Sequence, residues 1–193
     1  QKKIKIGHAG TLDPFAEGIL ILCTGKKTKS VESMMDKLKV YEAEIQLGIE
    51  TDTLDPEGEI VKKSKVNHYS KNSIKLILEK FTGTTNQIPP MFSALKYKGQ
   101  RLYNLARKGV KIELQPRQVF IKNVNFISLE NNVLKISVEC GRGVYIRALA
   151  RDIALELKTV GYLISLKRTK VGEYSEENAL SIEEFAKCIF SKH

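Results

Sequence analysis

The sequence is poor in the residues that build disulfide frameworks and metal centres. Its three cysteines, Cys23, Cys140 and Cys188, are far apart and form no CxxC motif, and their odd number fits no complete disulfide framework. We therefore expect reduced, mostly buried thiols in a cytoplasmic protein. The three histidines are equally scattered along the chain, so the sequence predicts no metal site.

Long apolar runs and glycine-rich phosphate loops are missing too. The apolar run at 19–22 is too short to span a membrane and is typical of a buried strand. The first residues lack the apolar core of a secretory signal. No P-loop or dinucleotide-binding motif occurs, and with the missing ligand clusters this disfavours a metal- or nucleotide-dependent hydrolase.

Acidic residues are also in short supply. The chain of 193 residues has 22 Asp and Glu against 32 Lys and Arg, which gives a net charge of +10. This excess favours a polyanionic partner, either RNA, DNA or an anionic membrane surface. The membrane is the least favoured of the three, because no basic amphipathic helix stands out. With 42% hydrophobic residues, the chain is long enough for one globular core.

The cations are densest in a segment that contains no acidic residue, between Lys96 and Lys111. Two aromatic residues, Tyr97 and Tyr103, alternate with these cations. Basic side chains contact phosphates and aromatic rings stack on unpaired bases, so the segment favours RNA or DNA binding over a merely solvated face. The candidate contacts, with one more cation from a later glycine-flanked turn, are Lys96, Arg101, Arg107, Lys108 and Arg142.

A short segment near the start, residues 7–18, carries the first candidate for chemistry. Asp13 followed by Pro14 is typical of a helix start, with Asp13 as the N-cap. The other interpretation is a reactive carboxylate, because an ionised carboxylate can act as a covalent nucleophile. The local sequence leaves both interpretations open.

Two further residues also have two interpretations each. Residues 40–47 alternate as a half-buried strand, with Tyr41 on its apolar face as either a core residue or a functional one. Arg147 falls in the first turn of a helix predicted at 145–157, where the helix dipole disfavours a cation. This position therefore suggests an anionic partner, either a phosphate or a carboxylate.

Strands and helices interleave along the chain, hairpins recur and no regular βαβ repeat occurs. The expected fold is therefore α+β, with a mainly antiparallel mixed sheet flanked by helices. No internal repeat or low-complexity linker marks a second domain, so a single domain over 1–193 is expected.

Four blocks resemble the TruB-type tRNA pseudouridine synthases, in the order in which that family has them. The blocks are residues 7–14 with Ala16 and Gly18; Tyr41 with 51–53; 87–96 with Gly99, 102–103 and 105–107; and 141–147 with 166–169. One short motif would be weak evidence, but four ordered blocks are specific.

The resemblance implies isomerisation of uridine 55 in the TΨC loop of tRNA, with no metal and no organic cofactor. By matching positions it implies that Asp13 is the catalytic aspartate, that Arg147 pairs with it, and that Tyr41 packs on the target base as the proton-transfer group. It further implies that His8 contacts the displaced part of the tRNA loop. Tyr145 and Leu166 match residues that line the uridine pocket.

The chain departs from the family at both ends. The family's N-terminal segment and its small C-terminal RNA-binding domain are absent from 1–193, so a lone catalytic domain is expected, acting as a monomer. The alternative function is a non-catalytic tRNA-folding chaperone. The pair of Asp13 and Arg147 favours the enzyme, because binding alone needs neither residue.

Overall fold

The computed structural model describes residues 4–110 and 112–190, apart from the side chains of 189 and 190. Thirteen strands run through this part of the chain: β1 (Ile6–His8), β2 (Glu17–Gly18), β3 (Leu22–Thr24), β4 (Lys39–Leu47), β5 (Ile49–Thr51), β6 (Ile60–Lys63), β7 (Gly83–Gln87), β8 (Lys96–Tyr97), β9 (Gln100–Arg101), β10 (Arg117–Glu130), β11 (Val133–Cys140), β12 (Gly161–Val171) and β13 (Tyr174–Ser175). Five α-helices accompany them: α1 (Val31–Asp36), α2 (Lys71–Glu79), α3 (Leu102–Arg107), α4 (Ile146–Glu156) and α5 (Ile182–Phe190).

A seven-stranded sheet forms the centre of the molecule. Its strand order is β13-β12-β4-β11-β10-β7, and β2 pairs with the edge of β12. The pairing of β2 with β12 is parallel and every other pairing in this sheet is antiparallel. The expected α+β fold with a mainly antiparallel mixed sheet is therefore confirmed.

One face of this sheet carries the hydrophobic core. Strand β4 alternates as its sequence predicts, and its residues Ala43, Ile45 and Leu47 are buried. Helices α2 and α4 cover this face, and their apolar stripes join the same cluster of buried side chains. The other face is polar, and an ion pair between Lys135 and Glu44 crosses neighbouring strands there.

Helix α2 begins at a residue of the type that helix N-termini favour. Ser70 is the N-cap, and its hydroxyl accepts a hydrogen bond from the backbone N–H of Ser73. Helix α4 likewise occupies most of the predicted segment and directly follows Tyr145. None of the helices in the described ranges is both long and apolar enough to cross a bilayer.

The prediction for residues 13–22 is wrong at two points. No helix begins at Asp13; its carbonyl accepts a hydrogen bond from Ala16 in a turn, and the chain then enters β2. The run at 19–22 is not a buried strand either, because only Ile19 is buried while Leu22 lies in β3 and is 56% exposed. Among the described strands β3 pairs with β1 alone, in a separate two-stranded sheet, so one edge of β3 has no neighbouring strand there.

Candidate active site

The site is built around Arg147, in the first turn of α4. Its Nε donates a hydrogen bond to Asp13 Oδ2 at 2.9 Å, and its Nη2 donates to Asp13 Oδ1 at 2.8 Å. Two parallel hydrogen bonds fix both the distance and the plane of the carboxylate. The Asp13 side chain remains 30% exposed, so the carboxylate is held from one side and open to solvent.

The remaining donors of Arg147 are also used. Nη1 donates to Asp55 Oδ2 and to the Thr53 carbonyl, both at 2.9 Å, and Nη2 donates to the Phe92 carbonyl at 2.8 Å. A guanidinium has five N–H donors, and each one of Arg147 has an acceptor. The residue is only 4% exposed. Arg147 is thus locked in a single orientation, and Asp13 with it.

Asp55 is a site residue that sequence reasoning missed, because its sequence context is typical of a plain β-turn. In the structure it is buried, and its second oxygen accepts hydrogen bonds from the Thr53 hydroxyl at 2.5 Å and from the Glu57 N–H at 3.1 Å. The loop between β5 and β6 therefore folds around this carboxylate and presents it to Arg147. The only signal in the sequence is that residues 51–53 belong to one of the four family-like blocks.

Gln87 lies in a family-like block, but the sequence predicts no role for it in the site. Its side-chain amide is buried, accepts a hydrogen bond from Tyr145 N at 2.9 Å and donates one to Tyr145 O at 3.1 Å. This double contact fixes the backbone of the residue just before α4. Through it, the end of β7 helps to hold Arg147 in place.

Two tyrosines lie within electrostatic range of the Asp13 carboxylate. Burial raises the pKa of Tyr41, and the negative charge of Asp13 acts in the same direction. Burial likewise raises the pKa of Tyr145. Both hydroxyl groups therefore stay protonated at neutral pH and are available as hydrogen-bond or proton donors.

The other predicted pocket residues lie on neighbouring elements. Leu166 is buried on β12, opposite Ala43 of β4 and close in register to Tyr41. His8 is exposed at the end of β1, just before the segment that carries Asp13. The structure thus joins Asp13 directly to Arg147, and the charge of Asp13 acts on the hydroxyl groups of Tyr41 and Tyr145.

The predicted RNA contacts fall into two groups. Four of them line one open cleft of about 590 Å³ beside α3: Lys96, Arg101, Arg107 and Lys108. None of the ion pairs within the described ranges involves these four cations, and the guanidinium of Arg107 lies 5.8 Å from the centre of the Tyr103 ring. Lys111, which ends the predicted basic segment, lies outside the described residues.

Arg142 is arranged differently from the other four. Its Nη1 lies 2.9 Å from Asp36 and 3.5 Å from Glu32, both on α1. Nearly half of its side chain is exposed, so an RNA phosphate could reach it only in competition with two carboxylates. Its role as an RNA contact stays a prediction.

The part of the chain that the structure describes contains no group of three potential metal ligands.

A family model described as the N-terminal domain of TruB family pseudouridylate synthases matches residues 1–146. The tRNA pseudouridine synthase B of Phocaeicola vulgatus is 45% identical over 184 residues, which are 95% of this chain and 78% of that protein. The enzyme of the same name from Clostridium perfringens strain 13 is 39% identical over the whole chain, which spans 66% of its length.

Solved structures with a similar fold come from larger assemblies. A chain in the crystal structure of a Cbf5–Nop10–Gar1 complex aligns with 98% of this chain at a TM-score of 0.73 and 24% identity. A second, from an H/ACA RNP bound to a substrate RNA containing 2′-deoxyuridine, has a TM-score of 0.68 and 20% identity. This chain spans 47% of the length of each. At these identities the likeness shows the fold, whereas the family model and the relatives above show that the chain belongs to the TruB family of pseudouridylate synthases.

Proposed function

We propose that this chain converts uridine 55 in the TΨC loop of tRNA to pseudouridine, with Asp13 as the catalytic carboxylate. The observation that carries the proposal is the two-point contact between Asp13 and an Arg147 side chain whose every donor is used. A carboxylate held in this way is oriented by its partner and open to solvent on one side. These are the properties that a carboxylate nucleophile needs.

The reaction requires a base that has left its stack. Uridine inside a folded tRNA loop must be turned out before its N1–C1′ bond can break and a C5–C1′ bond can form. Asp13 then adds to C1′ of the sugar or to the ring, and its bond breaks again, so that the carboxylate is restored. The new C5–C1′ bond replaces the N1–C1′ bond, the hydrogen on C5 leaves as a proton, and N1 gains a proton. Tyr41 and Tyr145 offer aromatic faces for the extruded base, and the protonated Tyr41 hydroxyl is suited to proton transfer.

The basic cleft beside α3 supports tRNA as the substrate. Its four cations make no ion pair with any described residue, and Tyr97 and Tyr103 supply stacking surfaces in the same segment. A short turn of chain links this cleft to Phe92, whose carbonyl contacts Arg147. The basic cleft and the residues that hold Asp13 are therefore close to each other along the chain, which supports tRNA as the substrate of this site.

The salt dependence of tRNA binding tests this surface. Replacing Arg101 and Arg107 together by Ala should weaken binding and reduce the slope of log K against log salt concentration by about 1.4–1.8, since each phosphate contact contributes roughly 0.7–0.9. Filter binding at several salt concentrations measures the slope. The matched control is Lys122→Ala with Lys135→Ala, which removes the same charge from cations paired with Glu139 and Glu44. Equal slopes for the two variants would contradict the assignment.

Release of tritium tests the reaction itself. An unmodified tRNA transcript carrying 5-tritiated uridine should lose one label per molecule to water in the presence of the chain, because the C5 hydrogen is displaced. A transcript with cytidine at position 55 should lose none. A tRNA-folding chaperone would bind the transcript and release no label, so binding without release would favour that alternative.

A further inference from the structure

Arg168, on β12, is a second buried arginine that lies beside the site. It is 1% exposed and is the largest fully buried side chain of the described core. No carboxylate of the described residues lies within 4.0 Å of its guanidinium, and this guanidinium donates hydrogen bonds to two backbone carbonyls. Burying a cation without a paired carboxylate costs free energy. Costly arrangements of this kind concentrate at functional sites.

The contacts of Arg168 bracket the segment that carries Asp13. Its Nη2 donates to the Gly10 carbonyl at 3.2 Å, three residues before Asp13, and its Nε donates to the Ile19 carbonyl at 2.7 Å, six residues after it. One guanidinium therefore holds both ends of the loop between residues 10 and 19.

The backbone of Arg168 holds the same loop. Its carbonyl accepts a hydrogen bond from Ile19 N at 2.9 Å, and Gly18 of β2 lies opposite Arg168 in the parallel pairing. Gly18 has a φ of +98°, and a Cβ there would lie 2.2 Å from the Arg168 carbonyl oxygen. Only glycine permits this close approach.

Arg168 is also the neighbour of Tyr41 across the sheet, because the two residues are partners in the antiparallel register of β12 and β4. Burial raises the pKa of Tyr41, and the positive charge of Arg168 opposes that rise. The same side chain thus binds the backbone of the Asp13 loop and lowers the pKa of the Tyr41 hydroxyl.

We propose that Arg168 is a positioning residue, which docks the loop carrying Asp13 onto β12 and sets its alignment with Tyr41. Arg147 orients the carboxylate, whereas Arg168 fixes the backbone from which that carboxylate extends. This inference rests on the proposed uridine isomerisation. The side chain is buried, so it acts on turnover without contributing to the tRNA-binding surface.

The test compares Arg168→Met and Arg168→Lys with Lys170→Met, which removes one charge from an exposed position of the same strand. Arg168→Met should lower kcat by about 100-fold at saturating tRNA, as expected when a reacting group is misplaced by about 1 Å, and leave the Kd for tRNA within about twofold. Arg168→Lys keeps the charge but cannot span both carbonyls, so its kcat should be intermediate. Lys170→Met should match the unaltered chain.

Two readouts separate positioning from a merely structural role and need no turnover. Ultraviolet titration of the tyrosines, with Tyr41→Phe subtracted, should show a higher pKa for Tyr41 in Arg168→Met and an unchanged one in Arg168→Lys. Hydrogen exchange should show lost protection confined to the loop between residues 10 and 19. A kcat within threefold of the unaltered chain, or unchanged protection of that loop in Arg168→Met, would overturn the inference.

Should Arg168→Met fail to fold, Gly18→Ala provides the second variant, because it moves β2 away from β12 and keeps the charge. We expect the same loss of kcat and of loop protection, with the Tyr41 titration unchanged. Normal turnover in Gly18→Ala would overturn the inference. If the unaltered chain releases no tritium, the proposed function fails, whereas the exchange and titration results still decide the role of Arg168.

Discussion

Replacing Asp13 by Asn should abolish pseudouridine formation and leave tRNA binding nearly unchanged. A side-chain amide is a far poorer nucleophile than a carboxylate, and loss of a covalent nucleophile lowers turnover by about 10⁴-fold or more where it has been measured in other enzymes. The fold should tolerate the change, because Asp55 still balances the charge of Arg147 and the new amide oxygen can still accept one hydrogen bond. We expect a loss of stability of only about 1 kcal/mol. Tritium release, filter binding and thermal unfolding measure the three quantities.

The control for this change is Glu79→Gln, a carboxylate-to-amide replacement at an exposed position near the end of α2. It should leave turnover, binding and unfolding unaltered. A second variant, Asp13→Ala, guards against conversion of the new amide back to a carboxylate. Turnover within tenfold of the unaltered chain in both Asp13 variants would contradict the catalytic assignment.

Replacing Arg147 by Met should damage both the fold and the reaction. The Asp55 side chain is 5% exposed, and without the cation it becomes a buried charge with no counter-charge. Breaking a buried ion pair in this way costs about 3–5 kcal/mol. The carbonyls of Thr53 and Phe92 lose their donor as well. For a chain of this size the Tm should fall by roughly 10 °C or more.

Activity should fall further than the folded fraction does. Without its two-point partner Asp13 is free to rotate, and a misplaced reacting group costs about 100-fold in rate. Arg147→Lys keeps the charge but supplies three donors to five acceptors, so its stability should lie between those of Arg147→Met and the unaltered chain.

The control is Arg151→Met, one turn along the same helix. Arg151 pairs with Asp152 and donates to the Ile88 carbonyl, but it is partly exposed, so we expect a loss of about 1 kcal/mol or less. Thermal unfolding and single-turnover tritium release compare the three variants. Equal stability of Arg147→Met and Arg151→Met would show that the network around Arg147 contributes little.

The strands and helices with one apolar face were predictable from the sequence. Strand β4 alternates between apolar and polar residues with period two. Helix α2 begins directly after its N-cap, Ser70, and buries residues on one face. Strands β10 and β11 follow each other directly in the chain and pair as a hairpin around residues 131–132. These features are local, because each depends on residues close to one another along the chain.

Sequence patterns gave a wrong prediction where a contact between distant residues overrides the local preference for a helix. Asp13 has the sequence context of an N-cap, yet its carboxylate pairs with Arg147 and caps no helix. The segment after it turns to pair with β12 through Gly18, and this pairing replaces the predicted helix. Arg147 lies in the first turn of α4, where the sequence indicates an anionic partner but does not show that the side chain is buried. It is buried because the loops of Thr53 and Phe92 cover it.

The sequence by itself determined the apolar faces, the α+β class, the excess of positive charge and the identity of Asp13, Tyr41 and Arg147 as candidates. Only the tertiary structure decided that Asp55 is the second carboxylate on Arg147 and that Arg168 holds both ends of the Asp13 loop. The contacts that decide this join residues 92, 134, 149 and 158 positions apart. Periodicity reports the face that a segment turns to its own sheet, and it contains no information about which distant loop closes over the opposite face.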